Sequence, residues 1–141
     1  MKTKTFFFIV LIMLNFSCKK EQETTKETTR MERVIAIHDE VMPKMGTIGK
    51  LISALEPKID SLATETQYKD AKDNLEEAYT YMMDWMKGFG DRFDSDEILE
   101  GKILSEQKEA WLIEEEEKVN IMRDKINNSI SRAKALLKEE N

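Results

Sequence analysis

One cysteine, one histidine, two prolines and five glycines are all that 141 residues contain of those four types. Each scarcity removes something. A lone Cys forms no internal disulfide, and a lone His with no free thiol leaves no Cys–His catalytic pair. No Cys-X-X-Cys-His haem attachment is present. Strand-like alternation is nearly absent, and no apolar run reaches the about 20 residues that a membrane-crossing helix requires. Ser105 with Lys108 and Ser131 with Lys134 match Ser-X-X-Lys, but on polar helix positions and without companion motifs. Gly46-Thr47-Ile48-Gly49 lacks the loop and Lys of a phosphate cradle. Asp91, Asp94, Asp96 and Glu97 fail the spacing of a calcium loop. These gaps point to a non-enzymatic chain.

What is present begins with the first 18 residues, MKTKTFFFIVLIMLNFSC. Lys2 and Lys4 form a positive start, residues 6–14 an uncharged apolar core, and Ser17 a small residue before a processing point. That is the anatomy of a secretory signal. With Cys18 next, it resembles the lipobox of bacterial lipoproteins, in which the Cys is acylated and becomes the new N-terminus. Asn15 stands where the usual box has Leu; looser boxes of this kind are similar to those of Bacteroidota. The expected order is therefore a signal peptide over 1–17, a lipidated Cys and tether over 18–29, and a helical bundle over 30–141. An acylated Cys18 is removed from thiol chemistry. Loss of Lys2 and Lys4 takes the formal net charge from −6 to −8, which disfavours nucleic acid and anionic lipid. Membrane attachment then falls to the acyl chains, at ~0.8 kcal/mol per buried methylene. Residues 19–29, KKEQETTKETT, have no apolar side chain and read as a disordered tether. Their first charges resemble the export signal of surface-exposed Bacteroidota lipoproteins. The expected location is a Gram-negative cell envelope, on the periplasmic or surface face of the outer membrane.

The remainder carries three helical stripes. From Met31, apolar positions recur at 31, 34, 38, 41, 45, 48, 52, 55, 59 and 62, intervals of three and four. Tyr68, Ala71, Leu75, Ala78, Met82, Trp85 and Phe89 make the second, and Leu112, Val119, Met122, Ile126, Ile130, Ala133 and Leu137 the third. They predict helices over 27–62, 66–88 and 105–138, an all-α, antiparallel, coiled-coil-like three-helix bundle. A short polar break makes the first two antiparallel neighbours. Their expected partners include Ile52 with Leu75, Met45 with Met82, Val41 with Met86 and His38 with Phe89. Pro43 predicts a kink, and Pro57 a bend or an end. Residues 88–104, with three glycines, read as a long connection, Ser95 capping one turn that Gly101 closes. Ser105 is the expected cap of the third helix. Residues 114–117, four glutamates, read as a solvated face, with Glu114 and Lys118 as an exposed pair.

Two segments stand out: HDEVMPKMG over 38–46 and YMMDWMKGFG over 81–90. On helices that face each other, His38, Met42, Met45, Met82 and Met86 all reach one interhelical space. Thioethers with an imidazole are a soft set suited to Cu(I), or supply axial haem ligands. The plainer reading is methionine filling gaps beside a kink, with His38 a core residue hydrogen-bonded to a group such as Glu115. Trp85 and Phe89 are the expected interaction surface for an envelope protein partner. Asp60-Ser61-Leu62 resembles the short Bacteroidota O-glycosylation motif, with Ser61 the acceptor.

HDEVMPKMG, MMDWMKGFGDRF and EQKEAWLIEEEEKV together resemble a family of small flavobacterial lipoproteins, over roughly residues 31–137. Some members carry the label "viral A-type inclusion protein", and their function is unknown. The resemblance implies the envelope compartment and marks the two segments as family hallmarks. It implies no activity.

Overall fold

The computed structural model describes residues 28–59 and 65–138, all of it helix and connecting turn. Cys18 and Ser61 lie outside the described residues.

The first helix is built in pieces. α1 runs Arg30–Val41. It starts three residues later than its stripe implies because Thr29 caps it. The Thr29 side chain accepts the Glu32 amide, 3.2 Å, while the Glu32 carboxylate accepts the Thr29 amide, 2.7 Å. That reciprocal pair satisfies two helix-end donors. Pro43 has no N–H to give the Asp39 carbonyl, and the chain there tightens into one 3-10 turn, Met42–Lys44. α2 follows, Met45–Leu55. Pro57 closes it with a second 3-10 turn, Glu56–Lys58, in which the Ile59 amide donates to the Glu56 carbonyl. The α-helix therefore ends at Leu55, two residues before Pro57, and Leu62 lies outside the described residues.

α3 spans Glu65–Arg92. It passes through Gly88 and Gly90, which the glycine count had placed in a connection. The reason is the apolar face: Trp85, Phe89 and Phe93 recur every four residues and are 6, 5 and 3% exposed. Their rings form a ladder with centroids 4.9 and 4.8 Å apart. Packing of that face outweighs the about 1 kcal/mol by which each Gly disfavours helix relative to Ala. α4 is a single turn, Ser95–Leu99. Its cap is Asp94, one residue before the expected Ser95, in a capping box with Glu97. Gly101 then reverses the chain at φ +70°, a conformation that costs glycine least. α5, Glu106–Lys138, is the longest element. Ser105 caps it as expected, accepting the Lys108 amide.

The fold is an all-α bundle. α2 packs on α3, α3 on α5, and α1 on α5. Every position of the second stripe is buried, as are all of the third except half-buried Leu137. The first is buried at 31, 34, 41, 45, 48 and 55 and half-buried at 38, 52 and 59. One expectation changes here. α1 lies chiefly against α5, so Val41 and His38 do not extend the α2–α3 pairing in register. His38 meets Trp85, one turn from Phe89.

Candidate functional site

The four glutamates of α5 are the largest departure from expectation. Three of them join helices. Glu116 takes Arg30 Nε and Arg33 Nε at 2.8 Å each, tying α5 to α1. Glu114 takes Arg92 of α3 at 2.8 Å. Glu115 is buried, 2% exposed, and holds both Arg92 Nη1 and Lys118 Nζ at 2.8 Å. Lys118 thus pairs with Glu115 rather than Glu114; Glu114 and Glu117 keep the exposed setting expected for all four, whereas Glu115 is buried and Glu116 half-buried. The signal was in the spacing. The stripe of α5 steps from Leu112 to Val119 and on to Met122 and Ile126, and its missing member is position 115. A carboxylate occupies a core position there, so it requires cations on both sides.

Arg92 also lies over the Trp111 ring, 5.3 Å from its centroid. Its guanidinium therefore bridges two acids and one aromatic face. Beside it, Tyr81, Asp84, Trp85 and Gly88 of α3 and Glu115 and Lys118 of α5 line a groove of about 340 Å³. A Cβ on Gly88 would meet no atom within 4 Å, so that wall is open. A second depression of about 370 Å³ follows the same seam, lined by Asn74, Glu77, Asp124, Lys125 and other polar side chains.

Trp85 and His38 make the chemically unusual contact. Their rings stack, centroids 5.6 Å apart and planes 27° from parallel. His38 Nδ1 meets Asp39 Oδ1 at 2.9 Å, not Glu115. The tautomer that donates from Nδ1 leaves Nε2 as an acceptor. Both His38 Nε2 and Trp85 Nε1 are buried without a hydrogen-bond partner among the described residues. One is an acceptor and the other a donor, on adjacent rings; such unmet groups are rare in folded proteins.

The methionines divide. Met45 and Met82 lie in the core, 8 and 0% exposed, and Met86 packs against its edge. Met42 sits on the 3-10 turn and is 40% exposed. The proline that shapes the turn sets it apart from the buried pair. Among the described residues, no three His, Cys, Asp or Glu side chains are arranged to hold a metal ion. Trp85 and Phe89, expected as an interaction surface, are both core residues. Trp85 also lines the groove; Phe89 serves the ladder. Of the acids whose spacing fails a calcium loop, Asp94 caps α4 and also meets Lys102, and buried Glu97 pairs with Lys108. The Lys108 hydrogen bond holds the Glu97 carboxyl below its usual range.

No helix among the described residues is long and apolar enough to cross a membrane. No protein-family model, curated protein or solved structure matches the chain.

Proposed function

We propose that the chain is a non-enzymatic binding module of a Gram-negative cell envelope. Acyl chains on Cys18 hold it to the outer membrane, and it engages an envelope protein through the α3–α5 groove. The observation that carries the binding reading is the groove wall itself. Trp85 and Tyr81 give aromatic surface, Gly88 leaves the wall open, and Arg92 and Lys118 stand beside it with donors. About 340 Å³ accommodates one large side chain of a partner, at the lower end of ordinary ligand pockets. Aromatic and Arg groups concentrate the affinity of protein interfaces. Gly88→Trp fills the groove from an open position and should leave the fold intact. A photo-crosslinking residue at Gly88, in cells, should give one defined adduct that the same probe at exposed Ala54 does not. Identical patterns at the two sites would remove the groove as the binding face.

A second reading is soft-metal binding, favoured by the orphaned His38 Nε2. Its lone pair is buried against Trp85, and Met45 and Met82 share the same core. Anaerobic Cu(I) titration decides this. Affinity weaker than micromolar, or affinity unaltered by His38→Ala, ends it.

A further inference from the structure

The two most exposed large apolar side chains among the described residues lie on one built turn. Leu99 is 79% exposed and Ile103 93%. Leu99 closes α4, Gly101 reverses the chain at φ +70°, and the Lys102 amide bonds back to the Asp96 carbonyl at 3.2 Å. The Asp94–Glu97 capping box and the Lys108–Glu97 ion pair fix this turn to α5. Apolar side chains displayed by so well-bonded a turn mark a surface that meets something.

The position of the turn says what it meets. Thr29 lines one depression with Leu99 and Gly101, and another with Ile103 and Leu104. Thr29 is where the chain from Cys18 enters α1. Ten residues lie between Cys18 and Thr29; the eleven steps at ~3.5 Å each reach roughly 40 Å at most. The start of α1, the end of α3 and the start of α5 share this end of the bundle, so the exposed pair is at the end nearest the anchor.

We infer that Leu99 and Ile103 form a membrane-docking tip that enters the interface of the bilayer in which the acyl chains of Cys18 are embedded. The inference rests on the lipid-anchor reading. Two side chains would bind a free bilayer weakly, but a short tether makes the second contact intramolecular and supplies the missing concentration. Charge selects the lipid. Asp91, Asp96 and Glu100 are exposed at the same end and outnumber the exposed Lys102 on the turn, which disfavours anionic headgroups. The tip suits a zwitterionic surface such as phosphatidylethanolamine.

The full chain tests it, made in a Gram-negative host fed an alkyne-tagged palmitate, with Cys18→Ala as the labelling control. In Ile103→Cys the acylated Cys18 leaves position 103 as the sole free thiol, so a nitroxide attaches there alone. Ala54→Cys, exposed towards the far end of α2, is the reference site. In vesicles of phosphatidylethanolamine and phosphatidylcholine, collision with oxygen at 103 should exceed collision with a water-soluble nickel reagent several-fold. At 54 the ratio should invert. Tagged protein whose label at 103 is as water-accessible as at 54 overturns the docking tip and leaves the anchor standing. No incorporation of palmitate overturns the anchor and the tip together. Spin–spin broadening at 103, the sign of a second copy seated on the turn, assigns the patch to self-association and overturns it too.

Discussion

The α2–α3 seam and the α1–α5 seam are built from the same spacing and opposite chemistry. Along α2–α3, Ile48, Leu51 and Leu55 meet Leu75, Ala78 and Met82 in one core, all buried. Across α1–α5, apolar positions such as Val34 and Val119 are flanked by Glu116 between Arg30 and Arg33, and, on the 3-10 turn that follows α1, by Lys44 hydrogen-bonded to Asn127 at 2.7 Å. The first seam is held by area removed from water, which accepts any neighbour of the right shape. The second adds directional bonds that pair only in one register. Exposed ion pairs contribute little stability, so their effect here is to choose which helix α1 lies against.

Three core substitutions sharpen the contrast between apolar area and charge, one in the α2–α3 seam and two at Glu115, which joins α3 to α5. Leu75→Ala in the dry seam should have the largest effect, a loss of about 2–5 kcal/mol from lost transfer energy and a cavity, read as a lower urea midpoint at unchanged slope. Glu115→Ala should destabilise by about 1–3 kcal/mol. It strips a buried acceptor from Arg92 and Lys118, but both cations retain access to water and limit the loss. Glu115→Leu, filling the same core position with an apolar side chain, should recover most of it in the same titration. A loss in Glu115→Leu as large as in Glu115→Ala would show that the charge itself holds the α3–α5 contact.

The smallest effect belongs to Glu116. The Arg33 hydrogen bond holds its carboxyl below the usual range, with Arg30 adding to the shift. A carboxyl depressed in the folded chain contributes stability above its unfolded value, about 4.3 for Glu, and loses it as pH falls through the folded value. Asp94, lowered first by the Glu97 backbone hydrogen bond, and Glu97 act in the same direction. The urea midpoint should be level from pH 6 to 5 and fall towards pH 3. Glu116→Gln should make that fall shallower, and should cost less than about 1 kcal/mol at pH 7.

Which residues are buried was legible from spacing; which helix they are buried against was not. The stripe from Tyr68 to Phe89 predicts seven core positions and all seven are buried. A stripe names a face, however, and the same face of α1 suits α3 or α5 equally until the arginines meet Glu116. The end of α3 was obscured because Gly88 and Gly90 signal a break by propensity, whereas Phe89 and Phe93 continue the four-residue spacing that prevails. The caps Thr29 and Asp94 were missed, one helix being started at 27 and the other capped at Ser95, although Thr-X-X-Glu and Asp-X-X-Glu carry the signal. The groove was not, since it combines two helices whose adjacency depends on Arg92 and Glu115. The Met-rich segments stand out by composition, yet the unpartnered atoms within them are the ring nitrogens of His38 and Trp85, which no spacing rule picks out.

The bonds from α1 to α5 also order events in time. Arg33 and Glu116 are 83 residues apart in sequence, as are Lys44 and Asn127, and Arg30 and Glu116 are 86 apart. The Lys72–Glu56 bond of the α2–α3 hairpin closes only 16. Short closures cost less entropy than long ones, which predicts that the hairpin forms first and that α1 docks on α5 last. Core changes such as Leu75→Ala then act mainly on the folding rate, and loss of the Arg33–Glu116 contact mainly on the unfolding rate. On that order α1 should be the last helix to be secured and the first to be released.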